Sequence, residues 1–281
     1  MHYALRTPFL RKGASQYYMK RTISLIQMQV TMGDPKANFS HAQELMEKAL
    51  ETKPDILVLP ETWNVGFFPA DHLLELADTE GKETKDFLSS FAKAHQVSIL
   101  GGTVAVSEGN KVYNRSYGFD EKGNLISTYD KIHGFSLSGE PDYFEMGQSI
   151  PHFQMAGLSC SMAICYDVRF PELIRREALQ GVDLFFLPAA WPMLRKDHWV
   201  TLNTARAIEN QFYLACVNQG GLSGNTTYAG NSMLLDPWGH DLCHLSDQEE
   251  IATGTIDTDT ITEVRTKINT YRDRRPGIDR V

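Results

Sequence analysis

Three polar side chains stand directly after apolar runs in this sequence: Glu61 follows 56–60, Lys131 follows 125–130 and Cys165 follows 158–164. A cysteine can act as a nucleophile, an enclosed carboxylate can carry protons, and an ammonium can steady negative charge developing on oxygen. Each also has an ordinary reading taken singly: a surface strand end, a solvated charge and a small buried hydrophobe. Their shared setting argues for more, because a residue ending a buried strand projects from a rigid scaffold into the adjoining cleft.

The elements that would hold these ends can be read from periodicity. Residues 38–52 place Phe39, Ala42, Leu45, Met46, Ala49 and Leu50 on one helical face, Pro54 blocks further helix, and an apolar strand over 55–60 follows. The same phrase recurs as a helix over 171–181, opened by Pro171 and stopped by Gly181, then a strand over 183–188 that also ends in Leu-Pro. Between the two units lie a helix over 84–95, a strand over 97–104 and a hairpin turning at 120–123. A helix over 198–210 and strands over 212–217, 232–235 and 251–256 complete the pattern. This alternation points to an α/β fold of two sheets with helices on their outer faces.

Composition narrows the partners. At 281 residues with 42% hydrophobic and 22% charged content, the chain can fill one large core, and no long Pro, Ser or Gly linker divides it. The expectation is a disordered arm over 1–20 and a single domain over 21–281. A net charge of -8 gives no basic face for nucleic acid or an anionic membrane. No apolar run is long enough for a signal segment or a membrane span, so a cytosolic protein is expected. Cys160, Cys165, Cys216 and Cys243 lack the paired short spacings of a zinc site, and reduced thiols are the simpler reading. The Gly-x-Ser-x-Gly elbow, the phosphate-binding Gly-rich loops and His-Glu-x-x-His are all missing. His133 and His198 are candidates for a cysteine–histidine pair, but neither has the expected flanks, and a continuing strand would point His133 away from Lys131.

In chain order, Leu59-Pro60-Glu61-Thr62-Trp63, Tyr129-Asp130-Lys131-Ile132-His133 and Ile164-Cys165-Tyr166-Asp167-Val168-Arg169-Phe170-Pro171-Glu172 resemble the motifs of the nitrilase superfamily of carbon-nitrogen hydrolases. The resemblance runs from about Arg21 to the C-terminus. It implies a four-layer α-β-β-α sandwich that pairs through helices, as a homodimer or higher homo-oligomer. It also implies a triad of Cys165 as nucleophile, Glu61 as general base and Lys131 as oxyanion stabiliser, the last joined by the backbone N–H of Tyr166. A second carboxylate is expected between the lysine and the cysteine, where Glu140 fits best and Glu145 competes; Trp191 resembles a wall of the pocket. Neither metal nor organic cofactor is required. Physically, Lys131 is expected to lower the pKa of the Cys165 thiol, Asp167 and Arg169 to form an ion pair, and Arg206 and Glu209 to meet across one helical turn.

Within that superfamily, Ala190-Trp191-Pro192, His198-Trp199 and the helix around Arg206 look most like the bacterial omega-amidase branch. The implied substrates are small amides such as 2-oxoglutaramate or 2-oxosuccinamate. An N-carbamoyl amino acid hydrolase or a nitrilase would carry the same triad, since pocket shape sets the substrate. A catalytically silent binding protein is the alternative of a different class.

Overall fold

The computed structural model describes residues 19–67, 69–275 and 277–279. Most of the expected N-terminal arm therefore lies outside the described residues. Met19 already belongs to the fold, its N–H donating to Thr258 Oγ1 at 3.2 Å, and Lys20 opens the first strand.

Two sheets carry the architecture among the described residues. In the eight-stranded first sheet, Lys20–Gln27 lies between Glu250–Asp257, antiparallel, and Ile56–Val58, parallel. Ser98–Leu100, Lys111–Phe119, Val104–Glu108 and Asp78–Thr79 continue it, and Leu125–Asp130 pairs with Lys111–Phe119. The six-stranded second sheet runs Asp241–His244, Met233–Leu235, Tyr213–Asn218, Leu184–Ala189, Leu158–Met162, His152–Met155.

Alternation along single strands explains the layering. Ile56 and Val58 join Ile23, Leu25, Met162 and Phe186 in the core shared with the second sheet. Leu57 and Leu59 point the other way, into a second cluster with Leu45 and Met46 of the helix Pro35–Ala49 and with Leu88 and Ala92 of Lys82–His95. A strand buried on both faces reads as an unbroken apolar run, as this one does. On the far side, Ile174 and Ala178 of Pro171–Ala178 and Trp199 and Ala207 of Lys196–Asn210 are buried in the same core as Phe185 and Leu187. The result is the expected four-layer sandwich.

Boundaries move for local reasons. Asp34 caps the first helix by accepting from Ala37 N at 3.0 Å, with Pro35 at its first position, so the helix starts three residues before the periodic run. The strand expected over 97–104 is cut in two at Gly101-Gly102. Gly102 has φ +57°, and a Cβ there would lie 2.0 Å from the Pro60 carbonyl oxygen. The chain breaks its strand so that the Pro60 turn can pack against it.

Among the described residues, no helix is long and apolar enough to cross a membrane, and no group of three or more His, Cys, Asp or Glu side chains is arranged to hold a metal ion. None of the four cysteines is in a disulfide.

Candidate active site

Glu61 sits where the two Leu-Pro units meet. Its own turn is pinned on the first sheet: Thr103 N donates to Pro60 O at 2.9 Å, Thr62 N to Thr103 Oγ1 at 2.8 Å, and Trp63 Nε1 to Gly101 O at 2.7 Å. The second unit comes from the opposite sheet. Ala190 N, one residue beyond the strand Leu184–Ala189, donates to Glu61 Oε2 at 2.7 Å, while Glu61 N donates to Ala189 O at 3.3 Å. The repeated phrase thus builds two facing strand ends, and the carboxylate is caught between them with no solvent exposure.

Lys131 extends the ladder one residue past Leu125–Asp130, its N–H donating to Asn114 O at 3.0 Å. Its ammonium is 1% exposed and donates to Glu61 Oε1 at 2.8 Å and to both Glu140 oxygens at 2.9 Å. Glu140 follows Gly139, whose φ of +76° favours glycine, and accepts from Phe135 N at 2.7 Å. Glu145 goes elsewhere: it is exposed, and Lys111 Nζ approaches it at 3.4 Å. Asn114 was not singled out in the sequence, yet its Nδ2 donates to Glu61 Oε1 at 2.8 Å and Glu140 Oε1 at 3.3 Å. The available signal was parity: Asn114 shares an inward face with Val112 and Ser116 of its strand.

Cys165 stands on a sharp turn between the strand Leu158–Met162 and the short 3-10 segment Cys165–Arg169, with φ +46°, a left-handed conformation unusual for a residue with a Cβ. Asp167 holds the turn. Its buried carboxylate accepts from Ile164 N at 2.9 Å, Tyr129 Oη at 2.7 Å, His133 N at 3.0 Å and bonds His133 Nδ1 at 2.8 Å. The expected Asp167–Arg169 ion pair is therefore corrected, because burial assigns the carboxylate to the turn and to the loop after Lys131. Arg169 instead lies over the Trp191 ring at 4.7 Å, with an Nη 3.3 Å from His198 Nδ1. His133 serves this link and stacks on Phe170 at 3.6 Å. Arg206 reaches back from the helix Lys196–Asn210 to donate to Val168 O at 3.0 Å and meets Glu209 at 2.8 Å.

Residues 22–266 match the sequence model of the carbon-nitrogen hydrolase family. The chain belongs to that family. It is 41% identical to the 2-oxoglutaramate amidase of Bacillus subtilis over 92% of this chain and 100% of that protein. Against the 2-oxoglutaramate amidase of Paenarthrobacter nicotinovorans the identity is 34%, over 80% of each chain. The crystal structure of a CN-hydrolase superfamily protein from Xanthomonas campestris, which has an arsenic adduct in its active site, superposes with a TM-score of 0.85 at 29% identity. That match covers 92% of this chain and 98% of the other.

In this carbon-nitrogen hydrolase the electrostatics differ from the expectation for the thiol. Burial first, and then the Glu61 carboxylate, push the Cys165 pKa well above its usual value, and Lys131 only partly opposes them. The resting side chain is a thiol, so deprotonation needs a base in contact. Burial also raises Glu61 from its ordinary value despite Lys131. For Lys131, burial favours the neutral amine, but Glu61 and Glu140 outweigh it and hold the ammonium charged well above the usual range.

Cys165 opens onto a cavity of about 220 Å3. Tyr166 and Trp191 line it, as do Phe67, Phe135, Arg169, Arg195 and Tyr228. Asn218 clamps the Trp191 backbone, its Oδ1 accepting from Trp191 N at 2.6 Å, and the indole Nε1 donates to Arg195 O at 2.7 Å. Arg195 lies over the Phe135 ring at 5.1 Å. Among the described residues neither Arg169 nor Arg195 is ion-paired with a carboxylate. Tyr228 is 2% exposed, and its phenol pKa is pushed up by burial and then by Glu61 and Cys165. Nothing local in the sequence marks Tyr228, which is held at the cavity by an isolated bridge to Pro192 and by Ala229 N donating to Trp191 O at 2.8 Å.

Proposed function

We propose that this enzyme hydrolyses the terminal amide of a short 2-oxo dicarboxylic acid monoamide, 2-oxoglutaramate or 2-oxosuccinamate, through a thioester on Cys165. Glu61 takes the thiol proton as sulfur attacks the amide carbonyl carbon. The oxyanion forms beside the Lys131 ammonium and the Tyr166 backbone N–H. As the intermediate collapses, Glu61 passes its proton to the departing ammonia and the acyl group stays on sulfur. Glu61 next draws a proton from water, the hydroxyl attacks the thioester, and the proton returns to the Cys165 sulfur. Glu140 holds the ammonium through both of its oxygens, and Trp191 forms one wall of the pocket.

The observation that carries the substrate assignment is the pair Arg169 and Arg195, two cations lining the cavity with no carboxylate partner among the described residues. Each is half-buried in a chain of net charge -8. Such a pair suits a ligand with a carboxylate at the end remote from Cys165. The cavity is also smaller than the roughly 300–1,000 Å3 of sites for drug-sized ligands, which favours a small acid. The similarity to two proteins named 2-oxoglutaramate amidase supports the same choice.

A single domain over 21–281 belongs to the same proposal, supported by the pairing of Glu250–Asp257 along its whole length with Lys20–Gln27. Pairing through helices into a homodimer is part of the same proposal and is checked by light scattering.

The test is ammonia release from a panel of 2-oxo acid monoamides, neutral amides of matched length, N-carbamoyl amino acids and nitriles, with intact-mass detection of acylated Cys165. The expected result is a kcat/KM for the 2-oxo acid monoamides at least about tenfold above the neutral amides, as one charge-assisted hydrogen bond suffices to give. A neutral amide or a carbamoyl compound turned over faster would overturn the substrate assignment. Turnover with no acyl adduct under any quench would overturn the thioester.

A further inference from the structure

Two carboxylates that share one buried ammonium repel each other, and the Glu61–Lys131–Glu140 group leaves one negative charge in excess away from water. The atoms that face each other are Glu61 Oε1 and Glu140 Oε1, each accepting from Lys131 Nζ at 2.8 and 2.9 Å. Asn114 Nδ2 donates to the same two oxygens at 2.8 and 3.3 Å. Its two N–H groups on one nitrogen are the stoichiometry needed to bridge two acceptors. The opposite orientation would set an amide oxygen against two carboxylates. As placed, Oδ1 is buried with no hydrogen-bond partner, so the amide nitrogen alone makes the side chain's hydrogen bonds. Asn114 is 1% exposed and does not line the cavity that opens at Cys165.

We infer that Asn114 is a positioning residue that bridges Glu61 and Glu140 and keeps Glu61 ionised as the base. The inference rests on the reading of Glu61 as base. The backbone of Asn114 already holds Lys131 through Lys131 N at 3.0 Å, and this bond survives any side-chain change. Side-chain variants therefore isolate the bridge. Asn114→Ala removes both donors from the carboxylates. Asn114→Asp keeps the shape and adds a third carboxylate. In both, protonated Glu61 gains relative to ionised Glu61, and the acid limb of the pH–rate profile moves upward.

The experiment measures single-turnover acylation of Cys165 against pH by intact mass, together with steady-state KM, in wild type, Asn114→Ala, Asn114→Asp, Asn114→Asp/Glu140→Gln and Glu61→Gln. The acid limb is expected to rise by about one pH unit, a tenfold shift in the protonation equilibrium, in Asn114→Ala and by more in Asn114→Asp. KM should stay within about threefold, because the side chain is outside the cavity. Replacing the Glu140 charge in the double variant should bring the limb back toward wild type, which a merely structural defect would not do. If Asn114→Ala does not fold, the near-isosteric Asn114→Asp and its double variant decide the matter. An acid limb unchanged in the Asp variant, with Glu61→Gln inactive, overturns the role of Asn114. Normal acylation by Glu61→Gln overturns the reading of Glu61 as base instead.

Discussion

Replacing Lys131 by Met tests the charge group at its centre. Two carboxylates and one ammonium sum to -1 (-1 -1 +1), and the substitution leaves -2 in a site with at most 1% exposure. Breaking a buried pair by removing one partner costs about 3–5 kcal/mol, because the other partner is left uncompensated. Against a total stability of roughly 5–15 kcal/mol, that lowers Tm by about 6–20 °C at about 2–4 °C per kcal/mol. Turnover should fall by about a hundredfold to a thousandfold, or roughly 2.7–4 kcal/mol, from loss of one oxyanion donor. It should fall further because Glu61 then protonates more readily. The two effects separate in Lys131→Met/Glu140→Gln, where the sum returns to -1: most of the Tm should come back, while the turnover lost with the oxyanion donor should not. Lys131→Arg should not restore the rate, since a planar fork cannot place one compact ammonium between the Oε1 atoms. The assays are ammonia release at saturating substrate, quenched-flow acylation and calorimetric Tm. Turnover within about tenfold of wild type for Met or Arg would refute the oxyanion role, and a Tm unmoved by the Met change would refute the charge argument.

Three further outcomes follow from the same geometry. Cys165→Ala should abolish turnover while Cys160→Ala, Cys216→Ala and Cys243→Ala keep it, because Cys165 alone stands on the turn beside Glu61 and Lys131; steady-state activity in Cys165→Ala would sink the mechanism. Asp167→Asn should lower the urea midpoint by the equivalent of about 1.5–3 kcal/mol and reduce kcat, since one carboxylate ties the Cys165 turn to the loop after Lys131; an unchanged midpoint would show that the link is dispensable. Burial raises Glu61 above the unfolded value of about 4.3, so between the two values the native chain keeps a proton that the unfolded chain has shed. Its contribution to stability therefore falls as pH rises through that window, and Glu61→Gln should remove that component from a pH series of urea midpoints; an identical slope in the variant would contradict it.

Much of the fold and three site positions were legible in the sequence because they are written in local patterns. The unbroken run 56–60 reads as a strand buried on both faces, and Glu61, Lys131 and Cys165 stand out because each follows the end of a strand. The start of the helix Pro35–Ala49 and the break at Gly102 were not legible, the first because the Asp34 cap precedes the apolar period and the second because the Pro60 carbonyl, far along the chain, forces it. Tertiary structure alone decided the rest, because electrostatic surroundings come from residues far apart in sequence. Glu61 takes its partners from 53, 70 and 129 positions away, and no window around it contains Asn114, Lys131 or Ala190. The same holds for the Cys165 thiol, expected to be acidified by Lys131 and instead raised by burial and by Glu61. A sequence names the charges near a site only when they are near in the chain; their distances and their water are set when the two sheets close on each other.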